Sequence, residues 1–584
     1  MLLVAGTLLR VLLEFGGPAA ALSREPLTNG DYAFQAYHAA LGVRFLAEHG
    51  STSGYDPGFL AGYVKSPHFS ASVVPFEVAA LATGDAVRGA KLVALATPLI
   101  WVAGIALLAA GFGASPRAVR LATLAGALVF WLSMPFLFLV LGMAGFLIAC
   151  GLAFAATGAL ARGLAGRGWA PFALLAPAAV LAHPHGLLLT GLFAAPLLCV
   201  EGTARARTRV VAGLGIVLAS LPFLIPYFAF ADRVDRTAQS DFWVLARPLE
   251  PFIYYFNREE GARQAGLLEA ALLCAAAVGF RRWRADGHGR RAAGYATALV
   301  ALAALTFYGG AFPVTAALQP LRLTVAIAGF SIAPAAPALA AAWDGHRTAR
   351  LALGAAAAAL VALALYSGSL RALFHVGLDR DERALVSWVR SAPPGRVLIE
   401  DSVHGGALGG GDLDAGRVVP LLPLWTGRAI LGGPTADVYL AARTAHATDG
   451  RAFGRPAREL ADLDALLDRY AVSALAVWSV DLFDRVRALP SCQPAGRIGR
   501  LVLFTRRSAG WALAGRADVA ATPGLLEVTA AAPPASGPLV LAFHFDRVLR
   551  VEPPARLVPV PLPGDPVPFL GVEAAPPHFT IRTW

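Results

Sequence analysis

The stretch Asn29-Gly30-Asp31-Tyr32-Ala33-Phe34-Gln35-Ala36-Tyr37-His38 follows the first apolar segment and opens a loop running to about residue 88. If Asn29 or Asp31 caps a helix, 3.6 residues per turn puts Asp31, Gln35 and His38 on one face. That is a carboxylate backed by an amide and an imidazole, the residue types that general-base chemistry on a hydroxyl needs. A plain N-cap is the competing account of Asp31, because Asp caps well. The same loop brings Gly54-Tyr55-Asp56-Pro57-Gly58-Phe59 and Ala61-Gly62-Tyr63, a second carboxylate among aromatic faces that suit the apolar faces of sugars. Lys65 and His68 complete its candidate binding residues, and no fixed spacing among its histidines defines a metal site.

Two further groups lie far along the chain. His183-Pro184-His185-Gly186 sits where two apolar segments meet. A broken turn at membrane depth is tolerated only when buried in protein or lining a wet cavity, so these histidines either line a cavity or serve the turn. Arg322, in Gln319-Pro320-Leu321-Arg322, starts an apolar segment on the side otherwise poor in basic residues. It either snorkels to head groups or holds a lipid-linked phosphate with its planar fork.

These residues need elements to position them, and composition says of what kind. The 584 residues are 57% hydrophobic and 15% charged, with a mean hydropathy of +0.60. Charged residues make up about a quarter of a soluble protein, so this is a polytopic α-helical membrane protein. About eleven candidate spans start near residues 1, 89, 118, 136, 170, 186, 210, 264, 292, 322 and 350. The connections near 114–120, 161–168, 201–209, 281–291 and 344–350 hold fourteen arginines against three acids, an excess equal to the whole formal net charge of +11. The alternate connections near 135–140, 183–186 and 310–320 hold no Lys or Arg. By the positive-inside rule the N-terminus lies inside, and the loop 23–88 and everything after 368 lie outside. The charge is thus a topology signal, and no nucleic-acid partner is implied.

Residues 1–22 end in Ala19-Ala20-Ala21 and lack a basic start, which leaves a cleaved signal peptide as the alternative to the anchor read here. Arg10 and Glu14 stand four apart inside this segment, as an intrahelical ion pair would. The four cysteines form neither a disulfide framework nor a metal spacing. A second outer loop at 231–262 has nearly balanced charges among Phe242, Trp243, Phe252, Tyr254, Tyr255 and Phe256, the composition of an interfacial belt or part of a sugar site. Past residue 367 the apolar runs stop. Strands at 396–400, 473–478 and 500–505 alternate with helices at 382–389, 458–470 and 481–489, a small α/β domain over 368–508. Short alternating runs follow in a β-rich unit over 509–584. Gly405 to Gly411 lacks the Walker lysine and the GxGxxG spacing, and reads as a flexible loop.

Taken together, Gly30-Asp31-Tyr32 after a first span, Asp56-Pro57, Ala61-Gly62-Tyr63, a late Gln319-Pro320-Leu321-Arg322 and an external C-terminal region resemble the C-type membrane glycosyltransferases. Among these the arrangement is similar to the bacterial 6-pyruvoyl-tetrahydropterin synthase-related membrane proteins. The resemblance implies a bacterial cytoplasmic membrane location, a polyprenyl-phosphate-linked sugar donor and an envelope glycan, lipid or protein as acceptor. It also implies that Asp31 is the base or a metal-site residue. Asp56 is the second catalytic candidate, and Gln35, His38, Tyr55, Tyr63, Lys65, His68, His183, His185 and Arg322 are read as the residues that contact substrate. Two departures stand out: Gly62-Tyr63-Val64 replaces the family's Gly-Tyr-Pro, and no tandem acid follows Asp31. A divalent metal ion therefore stays open as a cofactor. Two rivals are a transporter or flippase, which would show more intramembrane charge or paired broken helices, and a non-catalytic envelope-assembly scaffold, which would tolerate loss of Asp31.

Overall fold

Apolar runs long enough for several helical turns become helices throughout the first 344 residues of the computed structural model. It describes residues 2–66, 71–200, 206–233, 262–345, 373–401, 418–432 and 441–583, with isolated residues between 347 and 362. The helices are α1 (Leu2–Glu14), α2 (Pro18–Leu22), α3 (Tyr32–His49), α4 (Val74–Thr83), α5 (Ala86–Gly111), α6 (Pro116–Leu132), α7 (Met134–Val140) and α8 (Ala144–Leu164). They continue as α9 (Ala170–Ala182), α10 (His185–Val200), α11 (Ala206–Ala229), α12 (Ala262–Ala285), α13 (Gly289–Tyr308) and α14 (Thr324–Asp344).

Among the described residues, four stretches are long and apolar enough to cross a membrane: Ala86–Gly111, Ala144–Leu164, Gly289–Ala311 and Pro320–Asp344. The pair α6 and α7 makes a fifth if it is one span bent by 54°. The apolar run read as a span from about 136 is in fact divided. Ser133 is extended, Pro135 opens the short α7, and Gly142 at φ 81° turns the chain before α8 starts at Ala144. The candidate near 350, His68, most of the 231–262 loop and Gly405 to Gly411 fall largely or wholly outside the described residues.

Glycine decides how closely the longest helices approach. Gly104 and Gly111 of α5 face Gly151 and Gly158 of α8, both pairs two turns apart. A Cβ on Gly104 would collide with the Gly151 carbonyl and one on Gly111 with the Gly158 carbonyl. Small residues in register let helix backbones pack at van der Waals distance where no hydrophobic drive exists between them. In α1, Arg10 and Glu14 form the expected ion pair at 2.6 Å, with Arg10 also 5.5 Å from the Trp131 ring.

The connections separate to two ends of the bundle. At one end Arg117 pairs with Asp344, and Phe112 stacks on Trp283 at 5.2 Å, joining the arginine-bearing turns. At the other, the Asp31 N–H reaches the Leu141 carbonyl at 3.0 Å, and His185 reaches the Leu318 carbonyl at 2.8 Å.

The C-terminal region follows the alternation read from the sequence. α15 (Arg380–Ser391), with a capping box of Asp379 and Glu382, precedes a five-stranded sheet. Its strands are β3 (Arg396–Ile399), β4 (Ile430–Leu431), β5 (Val472–Val477), β6 (Cys492–Ile498) and β7 (Leu501–Arg506), in the order β4-β3-β5-β7-β6. The first three are parallel and the last two antiparallel. The helix read over 458–470 is a 3-10 turn, Ala457–Glu459, and a short helix, Leu463–Arg469. From residue 512 two four-stranded antiparallel sheets enclose Leu526, Val528, Leu541, Leu570, Val572 and Ile581.

One feature of the outer loop 23–88 is built into this region. The hairpin β1 (Gly54–Asp56) and β2 (Tyr63–Lys65) places Tyr55 and Val64 in the core between the two sheets and Ala61 in the core of the α/β unit. Backbone bonds run from Ile430 to Gly58 at 2.8 Å, His544 to Ala61 at 2.8 Å and Gly524 to Tyr55 at 2.8 Å. The region after 368 thus takes part of its core from the membrane half.

Candidate active site

Asp31 occupies the N-cap position of α3, yet its side chain makes no capping hydrogen bond. Its backbone is fastened from several directions. The Asp31 N–H bonds to Leu141, and the Tyr32 hydroxyl donates to the Leu139 carbonyl at 2.8 Å. Asn29 Nδ2 donates to Leu373 at 2.8 Å, while Asn29 Oδ1 accepts the His375 N–H. Thr28 N–H reaches the His375 carbonyl at 3.1 Å. Two turns lie back to back here, and both need glycine: a Cβ on Gly30, at φ 43°, would stand 2.2 Å from the Leu141 carbonyl oxygen, and one on Gly142 would stand 2.6 Å from the Asp31 nitrogen. A carboxylate on such a mount is held in place at the start of α3 through its backbone.

Gln35 and His38 follow on α3, 4% and 0% exposed. His38 Nδ1 lies 3.1 Å from the Phe34 carbonyl and Nε2 lies 2.9 Å from the Tyr63 hydroxyl. A carbonyl only accepts, so Nδ1 carries the hydrogen and Nε2 accepts from Tyr63. Tyr63 also bonds to Asp56, which is fully buried and accepts from Tyr37 Oη at 2.6 Å and the Gly58 N–H at 2.8 Å. Burial pushes the Asp56 carboxyl up to about 6, against the hydrogen bonds from Tyr37, Gly58 and Tyr63 that pull it down. Burial, with Lys65 nearby, holds His38 well below its ordinary value. Tyr63 has one hydrogen, which His38 Nε2 and the Asp56 carboxylate compete to accept. Asp56, Tyr37, Tyr63 and His38 therefore make one interior network beneath the loop.

The remaining candidates divide. Lys65 is 2% exposed, paired with Glu77 and donating to the Thr52 carbonyl at 2.7 Å. Tyr55 donates to the His544 carbonyl at 2.8 Å and packs between the C-terminal sheets. His183 and His185 lie with Nδ1 atoms 3.0 Å apart, both rings edge-on to Phe146 at 5.5 Å. Arg322, in the 3-10 turn Pro320–Leu323, is close enough for its charge to act on both. Phe146 in turn meets Phe138 of α7 at 6.0 Å, so the histidine pair and the Asp31 mount share α7 and α8 as a common wall.

Sequence reasoning missed Tyr37 as the partner of Asp56, the glycine at 142, and the carbonyls of Leu139, Leu141 and Leu318. Gly142 carried a turn signal inside its apolar run; backbone carbonyls carry none. A cavity of about 40 Å³ lined by Tyr55, Tyr63, Arg233, His544 and Asp546 lies at the hairpin and has room for water, not for a sugar. Among the described residues no three His, Cys, Asp or Glu side chains converge as a metal site.

No family model matches the chain, and no curated protein matches it in sequence. Solved structures do. The oligosaccharyltransferase of Archaeoglobus fulgidus in its apo form matches 81% of this chain and 69% of its own length, at TM-score 0.50 and 12% identity. ArnT from Cupriavidus metallidurans bound to undecaprenyl phosphate matches 87% of this chain and 98% of its own, at TM-score 0.51 and 13% identity. The arabinofuranosyltransferase AftD from Mycobacteria matches 87% of this chain and 40% of its own, at TM-score 0.50 and 13% identity. At such identities the likeness is one of fold: this chain shares the architecture of these three solved proteins.

Proposed function

We propose that this protein transfers a sugar from a polyprenyl-phosphate donor to an envelope acceptor at the outer face of the cytoplasmic membrane. The observation that carries the reading is the mount of Asp31, an acid fastened by its backbone at the start of α3, on a fold shared with ArnT bound to undecaprenyl phosphate. In this reading Asp31 takes the proton of the acceptor hydroxyl as its oxygen attacks the anomeric carbon. The new bond to carbon forms as the bond to the phosphate oxygen breaks, in one inverting displacement. Arg322 balances the charge that collects on the departing polyprenyl phosphate. The buried Asp56 network holds the loop in shape and stands outside the chemistry. The eleven-span count, an inside N-terminus and a closer kinship with the 6-pyruvoyl-tetrahydropterin synthase-related membrane proteins belong to the same proposal.

The test is transfer of radiolabelled sugar from a panel of polyprenyl-phosphate donors, run with and without a chelator, comparing wild type with Asp31→Asn at matched membrane levels. Asn caps a helix about as well as Asp but cannot accept a proton at neutral pH. Transfer should fall about a hundred- to ten-thousand-fold. Normal transfer by the variant removes Asp31 from the reaction; no transfer by wild type with any donor overturns the glycosyltransferase reading in favour of a transporter or scaffold.

A further inference from the structure

We infer that His183 and His185 are positioning residues for Arg322, acting through the Leu318 carbonyl, and do not themselves touch the substrate. This rests on the reading of Arg322 as the group that holds the donor phosphate. His183 is the extended residue that ends α9, at φ −167°, and His185 begins α10, with Pro184 between them. The turn sets the two rings 4.8 Å apart, centroid to centroid, tilted by 33°. His185 Nε2 lies 2.8 Å from the Leu318 carbonyl. That oxygen only accepts, so Nε2 carries the ring hydrogen. His183 Nδ1 accepts the His185 backbone N–H at 3.2 Å and lies 3.0 Å from His185 Nδ1, so the two rings are tied to one turn whose far end is bonded to Leu318.

What that turn holds is the backbone leading to Arg322. Gln319, next after Leu318, sits at φ 49° and ψ 60°, a left-handed conformation that residues other than glycine keep only when their surroundings impose it. Its carbonyl accepts the Arg322 N–H at 3.1 Å, closing the 3-10 turn that aims the guanidinium. The bond from His185 fixes the carbonyl immediately before this turn. Phe146 packs edge-on against both rings at 5.5 Å. His183, 5% exposed, sets the His185 ring and reaches no further.

The experiment measures binding of undecaprenyl phosphate alone to the purified full-length protein in nanodiscs, together with KM and kcat for transfer. A buried hydrogen bond corresponds to roughly 2- to 13-fold in an equilibrium constant. His185→Ala and His185→Asn should weaken binding and raise KM within that range, since an asparagine amide cannot reach Leu318, and should lower kcat as well, because Arg322 also meets the charge of the departing phosphate. His185→Gln, whose amide nitrogen falls near the place of Nε2, should bind within about twofold of wild type, which also excludes misfolding as the cause. In an Arg322→Gln background, His185→Ala should cost nothing further. Equal losses in both backgrounds would make His185 a direct ligand and overturn the inference. Unchanged binding by His185→Ala, with Arg322→Gln impaired, would overturn it while leaving the role of Arg322 intact. Unchanged binding by Arg322→Gln would remove that role and the inference together.

Discussion

A carboxyl with no exposed surface, enclosed by Tyr37, Tyr63 and the Gly58 amide, has a pH dependence of definite sign. Asp56 is raised from an ordinary 3.8 to about 6 in the folded protein, so its proton binds the folded state more tightly than the unfolded one. Its contribution to stability is complete below about pH 4 and is lost as pH rises through about 6. Two pH units correspond to about 3 kcal/mol. Unfolding midpoints of wild type and Asp56→Asn in detergent should therefore diverge in favour of wild type by up to that amount between pH 7 and pH 4. A constant difference would mean that Asp56 is not buried as described. The His38 contribution, of opposite sign, is present in both proteins and largely cancels. At this scale the sequence supplied the acids, the histidines and the arginine by type and place. It could not supply their surroundings: Tyr37 is 19 residues from Asp56, and the carbonyl that orients Tyr32 is 107 residues away.

Helix faces made of glycine carry a clear test of packing. Gly104→Ala and Gly158→Ala, each placing a methyl against the facing backbone, should cost about 1–3 kcal/mol. Gly191→Ala on α10 meets nothing within 4 Å and should be neutral, or gain up to about 1 kcal/mol from the helix preference of alanine. Thermal unfolding of the purified protein in detergent measures all three, and equal midpoints would mean that α5 and α8 do not pack as described. Apolar length located most helices in the sequence, because hydropathy is a local property. The division of α7 from α8 was hidden by an unbroken apolar run, and β6 by its polar residues. Pro494 and Gly496 break the alternation there, and such a strand is tolerated at a sheet edge, where β6 lies.

For the molecule as a whole, the distribution of arginine predicts a direction that can be read in cells. A reporter active only outside the cytoplasm should be silent after residue 286, in the arginine-bearing turn between α12 and α13, and active after residue 583. Activity at 286 would invert the orientation and place Asp31 on the side without the proposed acceptors. The separation of basic and neutral turns to opposite ends was legible because charge follows topology; the union of the outer hairpin with the C-terminal sheets was not, because it joins segments hundreds of residues apart. That union bears on how the protein is made. The Tyr55 N–H finds its partner in Thr583, 528 residues later, and Asn29 finds its partners at 373–375. At about 5–20 residues per second, the ribosome needs on the order of half a minute to two minutes to span the longer gap. Until the strand Phe579–Thr583 has been made, the hairpin Gly54–Lys65 lacks its last partner. A chain cut short before that strand would leave the Tyr55 N–H without its partner and the hairpin Gly54–Lys65 without the sheet that closes over it.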